Sequence, residues 1–162
     1  MSDLLDRVRE KHLILMHRTL LLITNIVEAT PAEAMTRYTD GEGGWAVVEV
    51  LGHLLDANEY FTGRARRILT EDNPHLEVFQ HEQMVIANGY RQQVPEAVLA
   101  RLNDSRQKTL AFFEDLTQEQ WERAGVHPEY GDWTMTDALM QIGHHEVNHL
   151  EQITRILSQA TT

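Results

Sequence analysis

The sequence predicts an all-α protein: a four-helix bundle with a long connection between its second and third helices. Three observations carry this. Apolar residues recur at three- and four-residue spacing through four long segments. Apolar alternation never holds for more than a few residues, so no strand is expected. Proline and glycine-rich punctuation separates the segments, and four long helices joined by one long and several shorter loops close as a bundle.

A first helix is expected from Asp3 to Ala29, capped by Ser2, with Leu5, Val8, Leu15, Leu22 and Ile26 on its inner face. Pro31 and the loop Thr39-Asp40-Gly41-Glu42-Gly43-Gly44 end it. Trp45 opens a second helix, with Val47, Val50, Leu51, Leu54, Tyr60, Phe61, Ile68 and Leu69 inward, ending near Glu71 to Pro74. Residues 75–94 read as a connection holding a short helix, Glu82 to Asn88; connections of that length usually cover a site or cross a bundle. Pro95 suits the first position of the third helix, which turns Val98, Leu99, Leu102, Leu110, Phe113 and Leu116 inward. Thr117 with Gln120 forms a capping box for one further turn, and Thr134 with Asp137 forms another that launches the last helix.

At 162 residues the chain reads as a single domain, 1–162, able to bury a real core. The net charge of −11 argues against nucleic acid and against anionic membrane surfaces, since both call for a basic face. No cysteine is present, which removes disulfides, thiolate ligands and any protein thiol nucleophile. The N-terminus lacks a cationic lead into an apolar stretch, and the most apolar segment, Leu13 to Val27, is interrupted by His17, Arg18, Thr19, Thr24 and Asn25. The expectation is a soluble, cytoplasmic protein. On the first helix, Leu13, Ile14, Leu15, Met16, Leu20, Leu21, Leu22 and Ile23 wrap more than half the circumference, which points to a homodimer formed through helix faces.

The chemistry concentrates in the last helix. His145 and His149 stand at i and i+4, on the stripe formed by Met135, Ala138, Leu139, Ile142, Ile153 and Ile156. Buried imidazoles need partners, met either by core hydrogen bonds or by one shared metal ion. His53, on the second helix, is the best third ligand. Spacing separates this set from two other metal motifs. His145-Glu146-Val147-Asn148-His149 is a literal HExxH, the zinc peptidase signature, with Glu146 as base. No histidine follows it, and Glu151 lies two positions past His149, about 200° around the helix. Glu146 to His149 is also one ExxH unit of a di-iron bundle, which requires a second unit that the chain lacks.

The segments Gly44-Trp45 through Glu49 and His53 to Glu59, His127-Pro128-Glu129-Tyr130-Gly131, and His144-His145-Glu146-Val147-Asn148-His149-Leu150 resemble, together and in order, the DinB family of the DinB/YfiT-like superfamily. The resemblance implies an up-down-down-up four-helix bundle, often dimeric, in which His53, His145 and His149 are metal ligands. Three neutral imidazoles leave at least one coordination position open, the arrangement of a catalytic rather than a structural site. Zinc and nickel suit imidazole best, with manganese or iron as alternatives. Glu49 and Asp56, one turn either side of His53, and His144, beside the pair, are candidates to orient the ligands, and Glu146 is the candidate base. The family implies a metal-dependent hydrolase of a small-molecule substrate, or a transferase that activates a low-molecular-weight thiol such as bacillithiol, mycothiol or glutathione. The absence of cysteine suits the latter, whose nucleophile arrives with the cosubstrate. A non-catalytic, stress-associated metal-binding or interaction bundle is the alternative, and an HExxH peptidase a more remote one. Because protons compete for imidazole, metal occupancy is expected at neutral pH and lost below about pH 6.

Overall fold

A computed structural model describes residues 2–161. Its frame is four long helices: α1 (Ser2–Glu28), α3 (Val47–Thr70), α5 (Pro95–Glu114) and α7 (Met135–Ser158). Shorter pieces fill the joints: α2 (Ala32–Arg37), α4 (His81–Asn88), α6 (Gln118–Trp121) and a hairpin of β1 (Ala124–His127) and β2 (Gly131–Thr134). Side-chain pairs give the directions. Arg9 reaches Thr136 and Thr19 reaches Glu146, so α1 and α7 run parallel. Asn58 meets Ser105 and Thr62 meets Thr109, so α3 and α5 run parallel. Thr24 meets Asn103 while His17 faces Glu114, so α1 and α5 oppose. The bundle is up-down-down-up, and its parallel middle pair is why residues 71–94 must run back along the bundle.

Helix α3 is the hub, with every residue from Val50 to Asn58 buried. Two apolar clusters pack around it. One holds Leu51, Leu54, Val98, Leu102, Ile153 and Ile156; the other holds Ala57, Phe61, Leu110, Phe113, Leu139 and Ile142. His53 on α3, and His145 and His149 on α7, sit where the two meet. The long connection is pinned to this core. Gly52 leaves a gap on α3 filled by the Tyr90 ring, where a Cβ would fall 2.2 Å from Tyr90 Cγ. Further upstream, Leu76 N donates to Val126 O and Val126 N to Pro74 O, each at 2.8 Å, so Pro74–Leu76 lies beside β1.

Three sequence expectations are corrected. The hairpin was hidden because its strands are only four residues each, too short to show a period, with glycine at Gly125 and Gly131. Helix α2, six residues after Pro31, was too short to show periodicity. The inner face of α1 is rotated from the expected one. Leu5 and Leu22 are exposed, and the buried stripe is Arg9, Met16, Thr19, Leu20, Ile23 and Val27. Polar side chains enter it because each has partners: Arg9 lies over the Trp121 ring at 4.5 Å and donates to Thr136 Oγ1, and Thr19 donates to Glu146. Ser2 begins α1, but its side chain, the expected cap, lies outside those described. No helix among the described residues is long and apolar enough to cross a membrane.

The core also holds an ion pair. Arg106 on α5 is 1% exposed and Glu146 on α7 is 0% exposed. Arg106 Nη1 donates to Glu146 Oε2 at 3.1 Å, and Nη2 lies 3.0 Å from Oε1. Burial raises the Glu146 carboxyl and lowers the Arg106 guanidinium, each opposed by the charge of the other. Removing one member strands the other. Arg106→Ala is therefore expected to cost about 3–5 kcal/mol, read as a lower urea midpoint, while the double variant Arg106→Met/Glu146→Met recovers most of the loss. A midpoint unchanged in Arg106→Ala would contradict this.

Candidate metal centre

Helical geometry sets the site. His145 and His149, four apart, leave α7 on one face and meet His53 from α3. The Nε2 atoms of His53 and His145 are 2.9 Å apart, and those of His145 and His149 are 3.2 Å apart. All three ligand atoms lie within 4.8 Å of one another. Nitrogens each about 2.0–2.1 Å from one zinc ion stand roughly 2.9 Å apart at right angles and roughly 3.3 Å apart in a tetrahedron. Two edges of the triangle, His53 to His145 and His145 to His149, match a shared ion.

The proton inventory points the same way. Gln152 Nε2 donates to Asp40 Oδ2, which turns Gln152 Oε1 toward His149 Nδ1 at 2.7 Å. A neutral His149 then carries its proton on Nδ1 and turns the bare lone pair of Nε2 to the centre. Asp40 is fixed in turn by Arg155, whose Nε and Nη2 reach its two oxygens at 2.9 and 2.8 Å. This relay, Arg155 to Asp40 to Gln152 to His149, is the kind of outer hydrogen-bond chain that orients a metal-binding imidazole. Its only trace in the sequence is a glutamine three residues past His149.

Burial keeps the triad neutral. It lowers His53 to about 2, helped by His149 and His145, and lowers His145 to about 3, helped by His149. His149 is lowered as well, against the Gln152 hydrogen bond, which favours its charged form. Protons therefore compete with a metal for these nitrogens only in acid, and the expected loss of occupancy near pH 6 moves lower.

Around the triad stand rings. The Trp45 ring centroid is 4.9 Å from that of His53, and Phe61 is 5.5 Å from His145. Phe79 stacks on His53 at 5.8 Å and on Tyr60 at 4.7 Å. His81 meets the His53 ring edge-on at 5.7 Å. Phe79 and His81 come from the connection 71–94, where no periodicity marked them.

The other sequence candidates lie elsewhere, each for a physical reason. Glu49 is turned back to the start of α3, accepting from Ala46 N at 2.8 Å and from Arg91 at 2.7 Å, and does not touch His53. Asp56 accepts from Tyr90 Oη at 2.6 Å and from Asn88, and burial raises its carboxyl. His144 is exposed and meets His12 at 5.2 Å, a neighbouring position being about 100° off the ligand face. Glu146 faces the core and Arg106, which removes it as the base and with it the HExxH peptidase geometry. His127, from the motif His127-Pro128-Glu129-Tyr130-Gly131, is buried with Nε2 3.2 Å from Arg64 Nη1. No carboxylate among the described residues joins the triad.

Two outcomes follow. His149→Ala loses tight metal binding and keeps its helical signal, while Gln152→Ala retains the ion with about tenfold weaker affinity, at the low end of the effect of outer-shell partners; metal content by emission spectrometry and chelator competition measure both, and an unchanged metal content in His149→Ala contradicts the site. Metal-free protein should also melt at lower temperature at pH 5 than at pH 7.5. Unfolded imidazoles titrate near ~6.5 while the folded triad stays neutral, so the unfolded state gains protons as pH falls and stability drops. A melting temperature flat over that range would contradict the buried neutral triad.

A family model of the DinB superfamily matches residues 14–153. The chain is 27% identical over 130 residues to the Bacillus subtilis protein named "Putative metal-dependent hydrolase YfiT", covering 78% of this chain and 72% of that one. It is 30% identical over 112 residues to a Bacillus licheniformis protein of like name, covering 68% of this chain and 64% of the relative, less than two thirds of the latter's length. Among solved structures, YfiT superposes with a TM-score of 0.82 at 23% identity over 94% of this chain and 87% of that one, and is described as having "an unusual four-helix bundle topology". A mycothiol-dependent maleylpyruvate isomerase superposes with a TM-score of 0.74 at 11% identity over 90% of this chain and 60% of that one. At those identities the superpositions speak for the fold. With its model matched across all four bundle helices, this chain belongs to the DinB superfamily.

Proposed function

We propose that the chain is a metal-dependent enzyme in which His53, His145 and His149 hold one divalent ion, zinc or nickel by ligand type, and that it acts as a hydrolase on a small-molecule substrate. The observation that carries this is the triangle of Nε2 atoms at 2.9 and 3.2 Å. Relatives named as metal-dependent hydrolases support it. A divalent ion in such a site supplies Lewis acidity that brings a water or thiol toward ionisation at neutral pH. The protein's share of the work is orientation and dryness. Gln152 fixes the His149 ring, burial keeps all three imidazoles neutral and available, and Trp45, Phe61 and Phe79 limit water around the reacting centre.

A second reading, transfer of a low-molecular-weight thiol, is favoured by one specific observation. Among the described residues no carboxylate stands with the triad to serve as base. Water activation commonly draws on such a base, whereas a thiol coordinated by a divalent ion loses its proton without one. A cobalt-loaded sample distinguishes the two. Hydrolysis of ester or amide substrates with no thiolate-to-cobalt absorption supports the first reading. A charge-transfer band on adding bacillithiol, mycothiol or glutathione, with conjugation of an electrophile, supports the second. Neither activity in a loaded protein would leave a non-catalytic metal-binding bundle.

We further propose a homodimer through α1 and α7. Ile14, Leu21 and Leu22 on α1 and Val147 on α7 are 45%, 59%, 49% and 40% exposed, more apolar surface than solvent favours on adjacent helices. Light scattering is expected to give twice the chain mass at micromolar concentration, and Leu21→Asp to halve it. A monomer mass for the wild type would remove the claim.

A further inference from the structure

The segment between α3 and α4 has anchors at both ends and a ligand-type side chain between them. At its upstream end Leu76 is hydrogen-bonded to β1 and the buried Arg64 donates to Glu77 O. At its downstream end Val85 is buried, and Asn88 donates to the Asp56 carboxylate at 3.0 Å. Between these anchors Phe79 lies on the His53 ring, and His81 opens α4 at the mouth of the site. His81 is exposed, and among the described residues its ring contacts are with Trp45, His53 and Phe79.

Ring spacing tells how far His81 is from a ligand's place. Centroids within the triad are 4.8, 4.6 and 4.5 Å apart. His81 is 5.7 Å from His53, roughly 1 Å beyond the widest of these, a displacement within the ordinary amplitude of an exposed segment. Within the triad its ring contact is with His53, the ligand contributed by α3. No hydrogen bond to a described residue holds the ring where it is.

We propose that His81 is a fourth, displaceable ligand, which closes the ion's open position in the resting protein and withdraws when the substrate enters. The proposal rests on the three-histidine reading above and deepens it. Four protein ligands make a closed, inert centre, and three make an open, reactive one. A histidine on an exposed segment lets one chain have both. It also gives the long connection a purpose beyond returning the chain along the bundle, because the loop that roofs the site would sense its occupancy.

X-ray absorption at the zinc edge tests this with wild type, His81→Ala and His81→Gln, the exposed position making a folding failure easy to exclude by circular dichroism. Wild type is expected to show four imidazoles per zinc, and both variants three with an added oxygen. The zinc dissociation constant, by chelator competition, should rise at least about tenfold in both, no less than loss of an outer-shell partner produces. Three imidazoles in wild type and variants alike would overturn the proposal and leave the three-histidine centre standing. A wild type that binds no zinc would overturn both.

Discussion

The arrangement depends on how α7 is rotated about its axis. Glu146 is fully buried and bound by Arg106 from α5 and Thr19 from α1, so one face of α7 is fixed against two neighbours at once. His145 is the preceding residue, about 100° around the helix, and that angle delivers it to α3. His149 follows one turn later on the same side. A turn of α7 that freed the ligands from His53 would break the buried ion pair, which is costly when one partner is left alone. Glu146, the candidate base in the sequence, instead holds the helix that carries the ligands.

Electrostatics and packing then agree at the centre. Three imidazoles crowded at 2.9 and 3.2 Å cannot all be charged, and burial drives their pKa values down instead. Crowded lone pairs are a site short of a positive charge, which is the property a metal ion answers. The rim continues the theme with the rings of Trp45, Phe61 and Phe79. The carboxylates that the sequence offered to the site are all occupied elsewhere: Glu49 at the start of α3, Asp56 by Tyr90, and Glu146 by Arg106.

Much of this was legible in the sequence because it rests on regular helices. The four long segments, the caps at Thr117 and Thr134, and the i,i+4 histidines all follow from a period of 3.6. The third ligand required the matching order of motifs, since no local rule ties His53 to a helix nearly a hundred residues away. What stayed hidden depends on tertiary partners. Arg9 and Thr19 stand outside the expected inner face of α1 and are buried because Thr136, Trp121 and Glu146 receive them. Glu49, Asp56 and Glu146 had the right spacing to serve the site, but spacing does not tell which competing donor a carboxylate will meet. Phe79 and His81 sit in a segment whose position comes from Arg64, Val126 and Tyr90, not from its own pattern. The hairpin strands are too short to show any period at all.

The central claim is that His53, His145 and His149 form one metal centre, and anomalous diffraction at the zinc edge from zinc-loaded crystals tests it most directly. The account predicts one strong peak per chain, about 2.0–2.2 Å from the Nε2 atom of each of the three histidines. A peak bound to other residues, or none at the triad with both helices in place, would contradict it.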